Sequence, residues 1–216
     1  MQTENRKAFE SLVFTAIFIC ILWLVRLGEE ALGTDFRTLG IFPRSVSGLP
    51  GIFTAPLIHG DNEHLMSNTL PLATLGIIIL YFYRKIALEV VLWIYFLSGI
   101  WVWISATSDG YHLGASGLIY GLASFIFFSG IFRNDRKSIT LSLLVTIVYG
   151  SMVWGIFPFY QNISWETHFF GALAGIMCAW YYRKINTIPK TGILSKQEGP
   201  DKDSKESDTD DQVVSS

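Results

Sequence analysis

The 216-residue chain is 50% hydrophobic, 15% aromatic and only 16% charged, which excludes an ordinary soluble domain and makes a polytopic membrane protein the default class. Its formal net charge of -2 is unevenly held, because residues 187–216 contain four Lys against seven Asp or Glu. Cys20 and Cys178 both fall in apolar runs, so neither a disulfide framework nor a zinc pattern follows.

A bilayer core about 30 Å thick needs roughly 20 apolar residues at 1.5 Å per residue. Six such runs are present: Phe9 to Val25, Phe53 or Leu57 to Tyr83, Ile86 to Ser105, Ala115 to Ile131, Ile139 to Phe157, and Glu166 to Tyr182. Arg6 and Lys7 before the first run look like the charged start of a signal peptide, but no small-residue cleavage site follows, and the run reads as a retained span. The second is cut by Pro56 and Pro71 and contains His59, Asp61, Glu63, His64 and Asn68, so its first part does not simply face lipid. Residues 28–52 form a long first loop with several Gly and Pro, suited to the outer interface.

The fold class expected is all-α, a polytopic six-transmembrane-helix bundle. It divides into a short cytoplasmic N-terminus over 1–8, a helical body over 9–185, and a disordered acidic cytoplasmic tail over 186–216 that is too polar to bury a core. Arg6, Lys7, Arg84, Lys85, Arg133, Arg136, Lys137, Arg183 and Lys184 would share one side, against Arg26, Arg37 and Arg44 on the other. That bias puts both termini in the cytoplasm and Ser116, His168 and His64 near the external face.

Ser116 lies in Gly114-Ala115-Ser116-Gly117, where a loop opens into an apolar helix, so its backbone N–H is an unsatisfied donor that could stabilise an oxyanion. Taken alone, the tetrapeptide better suits a small-residue packing patch or an N-cap. His168 is an ionisable group at membrane depth, a functional candidate by default, although a histidine hydrogen-bonded inside a bundle is the plainer alternative. Gly171 and Gly175 follow His168 on one helical face, and Gly117 and Gly121 give the serine helix a matching smooth stripe for close approach. Tyr120 lies one turn beyond Ser116, placed to stack on the imidazole. No carboxylate at matching depth is evident to orient it, Asp109 and Glu166 reading as loop or helix-end charges. His64 and Asn68, at i and i+4, each offer an N–H towards a developing negative oxygen, or alternatively a polar bridge between helices. His59 is five residues before His64 and would lie on another helical face, which marks it as structural.

Metal chemistry finds no His-Glu-x-x-His run, and the intramembrane aspartate alternative fails because neither Asp61 nor Asp109 lies in a clean apolar segment. With Tyr120 beside the serine motif, His168-x-x-Gly171-x-x-x-Gly175 in the sixth span, and His59-x-x-x-x-His64-x-x-x-Asn68 in the second, the chain resembles the rhomboid intramembrane serine proteases over about residues 9–183.

The resemblance implies an intramembrane serine endopeptidase with a Ser–His dyad, Ser116 as nucleophile and His168 as general base. The oxyanion hole would be His64, Asn68 and the Ser116 N–H, with Tyr120, Gly114, Gly117 and Gly171 in support. It also implies that Trp154 to Trp165 form a lateral gate and that the substrates are transmembrane or juxtamembrane segments of membrane proteins. The implied setting is the lipid bilayer of a bacterial plasma membrane, with no cofactor, metal or nucleic-acid partner. The first loop lacks the Trp-Arg pair that many members carry. Two alternatives stand beside this reading: a non-catalytic scaffold that binds transmembrane segments, and a transporter using the histidines as a proton path. The transporter is disfavoured because the spans show no inverted repeat.

Overall fold

In hydrocarbon no water is available to satisfy backbone N–H and C=O groups, so an apolar chain of this kind must pair them within helices. The computed structural model, which describes residues 2–159 and 164–185, shows that solution. Its helices are α1 (Gln2–Leu32), α2 (Gly51–Thr54), α3 (Asn62–Phe82), α4 (Ala87–Ser105), α5 (Ser116–Arg133), α6 (Arg136–Tyr149) and α7 (Trp165–Tyr181), with short 3-10 turns between some of them. Among the described residues the one β pairing is an isolated bridge between Ile41 and His112.

Among the described residues, five segments are long and apolar enough to cross a membrane: α1, α3, α4, α5, and α6 with its following 3-10 turn, Arg136–Ile156. The sixth, α7, has 17 residues, about 26 Å at 1.5 Å per residue, close to the thickness of a bilayer core. The protein is therefore a multi-pass helical membrane protein. The acidic tail expected over 186–216 lies outside the described residues.

Two helix boundaries differ from the hydropathy reading. The first helix runs from Gln2 to Leu32, because charged residues at both ends satisfy one another along it. Lys7 pairs with Glu4 at 2.7 Å, Arg6 with Glu10 at 2.7 Å, and Arg26 with Glu29 and Glu30 at 2.8 and 2.9 Å. The second span does not begin at Phe53 or Leu57. There the chain makes only short turns, and α3 starts at Asn62, where the Asp61 side chain accepts the His64 N–H at 2.7 Å as an N-cap.

The core is centred on α5, which packs most extensively on α7 and also on α6, α3 and α4. Leu65, Leu75, Ile79, Ile94, Ile119, Leu122 and Phe125 are essentially sealed. The outer faces stay apolar, with Ile147 at 83% exposed, which suits lipid and not water.

The cationic end of the bundle is the one with Arg84 and Arg133, whereas Arg26 and Arg37 bond Asn62 and the Gly60 carbonyl at the start of α3. Arg84 reaches Glu10, Tyr81 donates to Glu4 at 3.1 Å, and Arg133 lies 5.4 Å above the Tyr83 ring while donating to the Tyr182 and Ile185 carbonyls at 2.8 and 2.6 Å. The opposite end holds the first two turns of α3 and the first turns of α5 and α7, where Asn68, Ser116 and His168 are found.

Candidate active site

The approach of α5 and α7 is governed by the absence of side chains. A Cβ on Gly171 would lie 2.1 Å from the Gly117 carbonyl oxygen, and one on Gly175 would lie 2.0 Å from that of Gly121. The residue after Ser116 also touches the residue before His168, since a Cβ on Gly117 would meet the Thr167 methyl at 2.8 Å. The two helices thus meet backbone to backbone at the level of the serine and the histidine.

The His168 ring is fixed in two directions. Its face stacks on Tyr120, with centroids 4.1 Å apart and planes 7° from parallel. Its Nδ1 lies 3.0 Å from the Gly155 carbonyl oxygen, in the 3-10 segment Gly150–Ile156 that continues α6. A carbonyl only accepts, so Nδ1 carries the proton, and in the neutral imidazole Nε2 then keeps its lone pair. Ser116 and His168 are both buried. No hydrogen bond joins them among the described residues.

Ser116 is the first residue of α5, with Ala115 as N-cap. The two preceding amides are already used: Gly114 N–H donates to the Ala55 carbonyl at 2.9 Å and Ala115 N–H to His59 Nε2 at 3.3 Å. The Ser116 amide belongs to the first turn, whose N–H groups have no intrahelical acceptor, and it sits at the positive end of the helix dipole. Gly114 has φ +100°, and a Cβ there would stand 2.9 Å from His64 Nε2 and 3.7 Å from Asn68 Nδ2. Only glycine allows both that backbone and that approach. The donors of His64 and Asn68 therefore converge beside the serine loop. Asn68 Nδ2 is buried and has no partner among the described residues, so its N–H is open to a ligand.

The helical-face argument for His59 does not apply, because His59 precedes the start of α3. Its ring lies edge-on to His64, centroids 5.1 Å apart, while its Nε2 holds the Ala115 amide. It is structural in the sense of holding both the serine loop and an oxyanion candidate in place.

Glu166 is a helix-end charge, in the first turn of α7, but a buried one. It is 3% exposed and accepts from the backbone N–H groups of Thr107 and Ser108 at 3.0 and 3.1 Å and from the Ser108 hydroxyl at 2.8 Å. His112 pairs with Ser108 Oγ at 3.2 Å and with Ser164 Oγ at 2.5 Å. Its backbone exchanges hydrogen bonds with Ile41 at 2.9 and 3.0 Å. This network ties the loop leading to Ser116 onto the start of the helix carrying His168, and it also ties down the first loop. The spacing of these residues gives no helical or strand pattern by which it could have been found. Asp109 is exposed, as a loop charge would be.

Sequence comparison agrees with this architecture. The Rhomboid domain model matches residues 47–185. Uncharacterized protein Rv1337 of Mycobacterium tuberculosis and uncharacterized protein Mb1372 of Mycobacterium bovis are each 33% identical over 192 residues, covering 82% of this chain and 79% of the relative. Uncharacterized protein ML1171 of Mycobacterium leprae is 29% identical over 191 residues, covering 82% of this chain and 75% of the relative. With a family model matched over most of its length and a helical membrane bundle to carry it, the chain belongs to the rhomboid family.

Proposed function

We propose that this protein is an intramembrane serine endopeptidase that cleaves transmembrane or juxtamembrane segments of membrane proteins. The observation that carries the reading is the state of His168. A buried imidazole on the helix facing Ser116 donates through Nδ1 to a backbone carbonyl, and Nε2 is left as a base.

In the reaction, Ser116 Oγ attacks the scissile carbonyl carbon as His168 Nε2 takes its proton. The carbonyl π pair moves onto oxygen, where the Ser116 amide, His64 and Asn68 donate to it. Collapse breaks the C–N bond, and Nε2–H passes its proton to the leaving amine. Water attacks the acyl-enzyme with His168 again as base, releasing the new carboxyl terminus and regenerating the serine. The Gly155 carbonyl and Tyr120 do the orienting that a carboxylate does in a triad.

The cationic end of the bundle is assigned to the cytoplasm with both termini, and the site to the external half of a bacterial plasma membrane. Residues 9–185 act as one protease unit, with the acidic tail attached on the cytoplasmic side. The competing reading, a scaffold that binds transmembrane segments without cutting them, has one observation in its favour, the lack of a direct Ser116–His168 hydrogen bond. Such bonds are commonly long before substrate arrives and tighten in the complex, so it does not displace the protease reading. The test is cleavage of a single-pass protein with a helix-breaking segment, co-reconstituted in liposomes. Wild type yields two fragments and Ser116→Ala none; intact substrate with both proteins refutes the proposal.

A further inference from the structure

We propose that Gly155 is a positioning residue for His168: its carbonyl selects the Nδ1–H tautomer, and its lack of a side chain is what lets the carbonyl reach the ring. The proposal rests on the reading of His168 as general base and deepens it.

Three elements meet at this point. Tyr120 comes from α5, His168 from α7, and Gly155 from the 3-10 segment that continues α6. A Cβ on Gly155 would stand 2.0 Å from the Tyr120 hydroxyl oxygen, 3.1 Å from its ring carbon Cζ and 3.2 Å from His168 Nδ1. The glycine is wedged against the stacked pair, and any side chain there must displace the stack or the carbonyl. Gly150, in the same segment, has only the Thr146 methyl at 3.9 Å near its Cβ position. Close fit is therefore a property of Gly155 and not of the segment. The segment's outward side is exposed, with Val153 and Trp154 open to the surroundings, so the base depends for its orientation on an element at the edge of the bundle. The segment must be seated against Tyr120 when the serine attacks.

The experiment is nitrogen-15 NMR of histidine-labelled protein in detergent, with the His168 signal assigned by its loss in His168→Asn, run beside the rate of fluorophosphonate labelling. Wild type is expected to show Nδ1 protonated and Nε2 unprotonated. Gly155→Ala should lose that signature and label at least about tenfold more slowly. Gly150→Ala should match wild type in both readouts. Adding Tyr120→Phe to Gly155→Ala removes the closest clash, and the double variant should regain the Nδ1–H signature and label faster than Gly155→Ala alone.

An Nε2-protonated His168 in wild type overturns the proposal even if Gly155→Ala does not fold. So does a Gly155→Ala protein in which tautomer and rate do not change together. A wild type that shows the Nδ1–H signature but never labels strikes the serine-protease reading and leaves the Gly155 hydrogen bond standing.

Discussion

The imidazole of His168 lies flat on the ring of Tyr120, 4.1 Å between centroids and 7° from parallel. Because Tyr120 and Ser116 share a face of α5 one turn apart, the stack ties the histidine of one helix to the serine of the other. An aromatic pair of this kind contributes about 0.5–1.5 kcal/mol beyond its buried area, which corresponds to roughly two- to tenfold in rate. Tyr120→Phe should therefore stay within a few-fold of wild-type kcat, and Tyr120→Ala should lose about tenfold with little change in KM, as steady-state cleavage of a reconstituted substrate would show.

Asn68 gives a prediction in which activity and stability part company. Its Nδ2 is buried without a partner among the described residues, so replacing the amide by an apolar group of similar shape removes an unsatisfied donor. Asn68→Leu should leave the thermal midpoint unchanged or slightly raised. Loss of one oxyanion donor should still reduce kcat by about 10²–10³. A drop in activity matched by a comparable loss of folded protein would assign Asn68 to helix packing instead.

The glycine contact between α5 and α7 should behave in the opposite way. A methyl on Gly171 would be forced to within 2.1 Å of the Gly117 carbonyl, and overpacking of this kind costs about 1–3 kcal/mol. Gly171→Ala should lower the thermal midpoint by several degrees, read by unfolding in detergent, and lose activity with it because the helices carrying Ser116 and His168 are pushed apart.

His112 supplies a pH dependence. Burial holds its pKa below the ordinary histidine value, against the opposing pull of Glu166. A group with a depressed folded-state pKa contributes stability that is present above its unfolded value of about 6.5 and is lost as pH falls through the lower folded value. The wild-type thermal midpoint should thus fall more steeply below about pH 6.5 than that of His112→Gln, and parallel curves would show that the loop network does not sense this proton.

Much of this architecture is legible in the residues, and the omissions share a cause. Long apolar runs bounded by charges reveal the helical membrane bundle because hydrocarbon leaves the backbone no other option. The spacing of Gly117, Gly121, Gly171 and Gly175 reveals where two helices can touch. Hydropathy misses the ends of α1, since Arg6, Glu10, Arg26 and Glu30 continue the helix through side-chain pairing and not through burial. Helical spacing separates His59 from His64, but α3 begins only at Asn62, and the two rings lie 5.1 Å apart. Glu166 and His112 act through contacts between segments far apart in sequence, and Gly155 acts through its carbonyl, a group every residue has. No pattern of side chains announces either.

The proposed chemistry requires Ser116 to be a nucleophile activated by His168. The most direct test is fluorophosphonate labelling of the detergent-solubilised protein, with the adduct located by mass spectrometry, in wild type, Ser116→Ala and His168→Ala. A single adduct on Ser116 is expected in wild type and none in either variant. Equal labelling of all three, or none in a folded wild type, would contradict it.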